Sequence, residues 1–351
     1  MPIIFHWIFS GCLRRSLSTL TALLAVYMII ETFDKTRFLG EDFTLPLLIE
    51  YLALKSPFMI AEFMPIVVLV STSLYLIDLS RHNEIIAIRA AGLGINKLVT
   101  PVLAVSLLAG LLSLAIGQWI TPITNHQLQH IERVYIKHQA HSEQVVQWLK
   151  DGNRFVKITP LARNQFAIVI LESDGKGHWL RKIESQKAIF GQGEWVLHDV
   201  FISTPDQTGL KIQRRDFMTL ASKAAPQATR PPEPDEMDLM QLRQYISSLE
   251  RAGLKVEGYA YSFHKKIAAP LACLFMALLA VALCVHVSNR TRAASWGLIT
   301  SIAVGLLYYV SGNASGLLAV GEQLPAAFAA WLPNLVFGGF SIFLILHREG
   351  I

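Results

Sequence analysis

Six apolar stretches constrain this chain more than anything else in it. They run over residues Leu17–Phe33, Pro57–Ile77, Leu98–Ile120, Ile267–Val287, Ala294–Val320 and Ala326–His347. A helix crossing a bilayer needs about 20 mostly apolar residues, and these runs meet or approach that length. More than half of the 351 residues are apolar, and the charged ones crowd into a few stretches between the runs. That is the profile of a polytopic membrane protein with a soluble insert. The first run follows Arg14–Arg15, as a signal peptide would, but it ends in "ETFDKTRF" with no small-residue cleavage site, so it is expected to be a retained helix.

Orientation follows from the distribution of basic residues. With the N-terminus inside, the cytoplasmic segments hold Arg14, Arg15, Arg81, Arg89, Lys97, Arg290, Arg292 and Arg348. The short loops opposite hold Lys35, Arg37 and Lys55 among Asp34, Glu41, Asp42 and Glu50. The positive-inside rule then places both termini in the cytoplasm and the large insert after the third span outside. Cys12, Cys273 and Cys284 all lie outside that insert, so no disulfide holds it. The net charge of +5 needs no nucleic acid to explain it, because the same bias makes membrane proteins basic.

The insert, residues 121–266, opens with the polar helical stretch "NHQLQHIERVYIKHQAHS". It then changes to short alternating runs, "NRFVKI", "QFAIVIL", "EWVLHDVFIS" and "LKIQRRDFMTL", separated by Asp-Gly and Gly-rich turns. Such runs predict a β-sandwich, jelly roll or similar layered fold. A Pro-rich connection follows, then "DLMQLRQYISSLERAGL", whose apolar face and terminal Gly253 predict a helix. The predicted fold class is therefore a membrane α-helical bundle of three plus three spans around a β-rich domain. Its segments are 1–120, 121–266 and 267–351.

Motifs for chemistry are few. The phosphate-cradling pattern G-x-x-x-x-G-K-[ST] is absent, so any ATP that drives this protein is bound by another subunit. Histidines cluster at His126, His130, His138 and His141; the first two share a helix face and His141 and Glu143 could join them as ligands, but no H-E-x-x-H arrangement occurs and the stretch is polar all round, so no metal site is expected. No nucleophile–base spacing nominates a catalytic residue. Ionisable residues inside the spans are functional candidates by default, yet Glu31, Glu62, Asp78 and His286 all fall near span ends, which disfavours a proton relay. Gly312 and Gly316 form G-x-x-x-G, a weak sign of close helix packing or a dimer seam. Lys35, Arg37, Lys55, Lys265 and Lys266 gather at the outer membrane edge, as snorkelling anchors or as a ring for anionic head groups.

Between spans two and three lies "LSRHNEIIAIRAAGLGINK". Ile85, Ile88 and Ala91 fall on one side of a short charged helix that ends in Gly92 and Gly94. This stretch resembles the coupling helix with which an ABC transporter's membrane subunit docks on its ATPase. The chain as a whole resembles the LptF/LptG permease family of the lipopolysaccharide exporter. The similarity is carried by "RHNEIIAIRAAGLG", by "GQWITP" at the exit from span three, by "WLKDGNRFVKI", and by "LMQLRQYISSLERAGLKVEGYAYSFHKKIAAPL". The span-three exit and "WLKDGN" are closer to the LptG branch.

The resemblance implies a permease subunit without an ATPase of its own in a Gram-negative inner membrane, with a periplasmic β-jelly roll. It implies an LptF-like partner in a heterodimer, two copies of an LptB-like ATPase, an LptC-like single-span protein, and lipopolysaccharide as the cargo. No cofactor is expected in the chain itself. Coupling to the ATPase falls to Arg81, Glu84, Ile85, Ile88 and Arg89 at the helix about 80–93, and lipid contacts fall to Lys35, Arg37, Lys265 and Lys266. Glu31 departs from the family, which tends to be basic there. An LptF-like role, a non-transporting scaffold or sensor, and an envelope-lipid enzyme are the competing readings.

Overall fold

The computed structural model describes residues 2–40, 42–92, 94, 96–136, 147–151, 154–162, 165–174, 179–191, 194–206, 209–221, 232–251, 254–284 and 291–349. The chain forms two compact units. One comprises Met1–Ile131, Pro234–Arg243 and Glu257–Ile351; the other comprises Glu132–Glu233 and Gln244–Val256.

The first unit is a helical bundle. Six of its helical stretches are long and apolar enough to cross a membrane, as the hydropathy pattern predicts. Its helices are α1 (Pro2–Thr36), α2 (Leu45–Arg81), α3 (Glu84–Ala90), α4 (Asn96–Ala115), α5 (Thr121–Ile131), α7 (Glu257–Cys284), α8 (Thr291–Val320) and α9 (Ala326–Glu349). The first helix starts well before the apolar run at Leu17. Arg14 and Arg15 interrupt the hydropathy but not the helix: Arg14 Nε donates to the Ser10 carbonyl, and Arg15 pairs with Asp78 of α2. Between α4 and α5 the backbone widens into a π-helical turn at Ile116–Ile120, an irregularity that tends to mark functional positions.

The bundle core brings together Ile8 and Cys12 of α1, Met64, Val68 and Leu76 of α2, Val102 of α4, and Cys273, Ala277 and Val281 of α7. All three cysteines are buried and free. Three consecutive residues of α2 bind neighbouring helices. Ser71 Oγ meets Ser16 Oγ at 2.9 Å, Thr72 Oγ1 meets Cys12 Sγ at 3.9 Å, and Ser73 Oγ accepts from Ser301 Oγ at 2.8 Å. Polar pairs of this kind are typical helix-to-helix contacts where lipid removes the hydrophobic drive to associate.

The second unit carries a six-stranded antiparallel sheet in chain order: β1 (Gln147–Asp151), β2 (Arg154–Ala162), β3 (Gln165–Ser173), β4 (Trp179–Gly191), β5 (Glu194–Asp206) and β6 (Gly209–Ala221). The expected layered β domain takes this form between spans three and four. One face is packed with Val156, Ile158, Ile168, Ile170, Ile183, Trp195 and Leu197. Trp195 is edge-on to Phe166, with ring centroids 5.4 Å apart. Along β5 the buried set shifts from odd to even positions, Trp195 and Leu197 giving way to Val200 and Ile202, across Asp199 at φ 56°. A left-handed non-glycine residue in a strand turns the side-chain alternation over. The following α6 (Leu239–Arg251) opens with reciprocal bonds between Asp238 and Gln241, a D-x-x-Q capping box.

Candidate functional site

One group of polar residues lies at the C-terminal end of α2 and a second along its N-terminal half. The first surrounds the predicted coupling helix. His82 ends α2, Asn83 takes φ 61°, and α3 runs only from Glu84 to Ala90 before Gly92 at φ 76°. Ile85 is 7 % exposed and packs into the bundle core with Leu79 and Leu98, and Ile88 beside it is half-buried. Of the apolar face seen in the sequence, Ile85 therefore belongs to the bundle, while Ala91 is exposed. Ile85 anchors the helix instead of presenting itself to a partner. The apolar side chain turned outward is Ile86, at 57 % exposure. Arg81 is exposed and Glu84 half-exposed, and neither has an ion-pair or hydrogen-bond partner among the described residues. The Arg89 side chain lies outside the described residues. Trp7, Gly11, Arg14, Tyr75, His82 and Glu84 all line an adjacent open cleft.

The second group lies where α1 ends, α2 begins and α7 follows the insert. Glu31 is its first hub. Its carboxylate accepts from Lys55 Nζ at 2.6 Å, from Tyr27 Oη at 2.8 Å and from Tyr51 Oη at 3.1 Å. Lys35 stands 3.9 Å from the same carboxylate and 3.3 Å from Asp34. Arg37 pairs with Asp34 at 3.3 Å and stacks over Phe38. Glu31 thus neutralises Lys55 and fixes α1 to α2.

Glu62 is the second hub, accepting from Lys265 Nζ of α7 at 2.8 Å. Lys266, next in sequence, donates to the carbonyls of Pro234 and Met237 at 3.1 and 2.5 Å. Of the four predicted lipid contacts, only Arg37 is largely exposed; Lys35, Lys265 and Lys266 are held by the protein's own oxygens. Sequence reasoning missed Tyr261, whose hydroxyl donates to the Gly312 carbonyl at 2.7 Å. The G-x-x-x-G face is occupied at that point by α7 of the same chain. It also missed Gln118, whose side-chain oxygen accepts from the Leu239 N–H at 3.1 Å.

In the sheet, Glu172 of β3 sits between Arg154 of β2, at 2.7 Å, and Arg181 of β4. Burial alone would raise its carboxyl, but hydrogen bonds and charge from Arg181 and Arg154 outweigh that and hold it below the usual carboxylate range. No cluster of three His, Cys, Asp or Glu residues able to hold a metal ion occurs among the described residues; His138, His141 and Glu143 lie outside them.

Comparison with known proteins agrees with the geometry. The family model for the lipopolysaccharide export system permease LptF/LptG matches residues 7–347. The LptG permease protein of the same export system from Haemophilus influenzae is 25 % identical over 335 residues, covering 93 % of this chain and 92 % of its own. The Escherichia coli K12 protein of that name is 24 % identical over 85 % of each chain. With six membrane-length helices, a sheet between the third and fourth, and a match over nearly its whole length, the chain belongs to the LptF/LptG family of lipopolysaccharide export permeases.

Proposed function

We propose that this chain is the LptG-type subunit of the exporter. It pairs with an LptF-like permease and receives its work from two copies of an LptB-like ATPase. Lipopolysaccharide is drawn from the outer leaflet of the inner membrane and passed, with an LptC-like protein, toward a periplasmic bridge. Both termini lie in the cytoplasm and the sheet domain, within residues 121–266, lies in the periplasm. The two compared relatives both bear the LptG name, which favours that branch over LptF.

The observation that carries the reading is the short helix α3. It is clamped to the bundle by Ile85 while it offers Ile86 and Glu84, with Arg81 at the end of α2 beside it, and neither charged side chain has an ion-pair or hydrogen-bond partner among the described residues. A rigid stub with one apolar contact and two opposite charges suits docking into a groove on a second protein. Arg89 and the half-buried Ile88 complete the docking surface. At the other end, Lys35, Arg37, Lys265 and Lys266 are the contacts for the phosphates and sugars of the lipid.

Purification of the tagged protein from native membranes in mild detergent tests this directly. The expected result is a near-stoichiometric ATPase together with a second six-span subunit. Recovery of the chain alone, under every detergent tried, would overturn the permease reading in favour of a scaffold.

A further inference from the structure

The Glu62–Lys265 pair divides two small cavities in the bundle. One, about 80 Å³, is lined by Ser113, Gln118, Thr121, Asp235, Lys265 and Lys266. The other, about 60 Å³, is lined by Tyr261, Tyr308, Gly312, Asn313 and Asn334. Each has room for several waters, since one water needs about 10–15 Å³. Glu62 and Lys265 line both.

The first cavity holds unused hydrogen-bond donors. Thr121 is 3 % exposed, and its hydroxyl has no partner among the described residues. An ammonium has three N–H donors. Lys266 spends two on the Pro234 and Met237 carbonyls, and Lys265 spends one on Glu62. Yet the cavity is not cationic: Lys265 and Lys266 are balanced by Glu62 and Asp235 in its wall. An anion gains little by adding to a neutral site. It gains by exchange, taking over an ammonium whose resident carboxylate can move elsewhere. The second cavity supplies that destination: most of its wall is apolar and the Asn334 amide is already bonded to Tyr308 and the Ala268 carbonyl, but the exposed side chain of Asn313 lines it too.

We propose that Glu62 is a resident counter-anion for Lys265, displaced by a phosphate monoester that enters the Thr121 cavity. The unloaded subunit keeps Lys265 paired, which avoids a bare ammonium inside the bundle. The loaded subunit pairs Lys265 with phosphate, and the return of Glu62 expels the ligand. This rests on the proposed lipopolysaccharide permease, and it adds Glu62 as a positioning residue and release device.

The test uses the purified protein with a phosphorylated disaccharide lipid, the same lipid after dephosphorylation, and inorganic phosphate. Glu62→Gln keeps the shape and leaves the cavity one positive charge in excess. It is expected to bind the phosphorylated lipid about two- to fivefold more tightly, the range for one partly exposed ion pair. Binding of the dephosphorylated lipid stays unchanged, and Lys265→Met removes the preference for phosphate. If inorganic phosphate alone reproduces the gain in Glu62→Gln, the exchange stands and its ligand is the free anion.

Wild-type protein gives a second measurement that needs no variant. Carbodiimide cross-linking of Glu62 to Lys265, read by peptide mass spectrometry, should fall when the phosphorylated lipid saturates the protein. Unchanged cross-linking at saturation, or unchanged affinity in Glu62→Gln, overturns the exchange while leaving the permease intact. Failure of the wild type to bind either lipid overturns the permease reading and this proposal with it.

Discussion

The ring of Tyr261 fills the space that a side chain at Gly316 would need: a Cβ built there would lie 2.9 Å from the ring. The Tyr261 hydroxyl also donates to the carbonyl of Gly312, one turn earlier on α8. Gly316→Leu is therefore expected to overpack the α7–α8 contact, at about 1–3 kcal/mol. Tyr261→Phe keeps the ring and loses one hydrogen bond, at about 1 kcal/mol. Thermal unfolding in detergent ranks the two. Combining Gly316→Leu with Tyr261→Ala should recover part of the loss, and strictly additive effects would contradict the contact.

Gly110 is a stricter position. A Cβ there would lie 2.6 Å from the carbonyl oxygen of Pro270, which is backbone and cannot swing aside. Gly110→Ala is expected to force α4 and α7 apart and to lower folded yield more than any other single methyl added in α4. Because alanine is the better helix former, a lower yield of Gly110→Ala in fluorescence-detected size exclusion reports the clash and not helix propensity.

Adjacent isoleucines should separate into two roles. Ile85→Ala empties a core position and should cost about 2–5 kcal/mol of stability. Ile86→Ala should leave the melting temperature nearly unchanged while reducing recovery of the ATPase. Glu84→Ala should retain basal ATP hydrolysis in the assembled complex and lose lipid extraction. Wild-type extraction in Glu84→Ala would remove that residue from the coupling role.

Acid should loosen the sheet through Glu172. Its carboxyl is held below the ordinary value when folded, so it contributes stability above the unfolded carboxylate pKa, about 4.3. That contribution is lost as pH falls through the lower, folded value. Glu172→Gln should weaken β2–β4 at pH 7, and the difference from wild type should vanish in strong acid. Amide hydrogen exchange across those strands, corrected for the intrinsic rate at each pH, measures it.

Much of this architecture was legible because lipid imposes a long apolar period. The six spans, the alternating strands and the stop at Gly92 all follow from local pattern. What escaped depended on partners distant in sequence. The start of α1 was hidden by Arg14 and Arg15, because nothing local reveals that Asp78 neutralises one of them. Strand β4 was hidden because Arg181, Lys182, Glu184 and Lys187 make its pattern read as polar, and because its pairing with β3 shifts between Phe166 and Ile168. In the candidate site the right residues were visible and their surroundings were not. Periodicity put Ile85 and Ile88 on one face without saying that Ile85 is spent on the bundle core. Charge counting found Lys265 without finding that Glu62 holds it.

The seven residues of α3 lie between two left-handed backbone positions, Asn83 and Gly92, with Ile85 sunk among Leu79 and Leu98. Such a piece has a swivel at each end and a pin near its start. A partner pressing on Ile86 would tilt it as a lever about Ile85. What passes into the spans would then be a rotation, delivered at one point shared by α2 and α4.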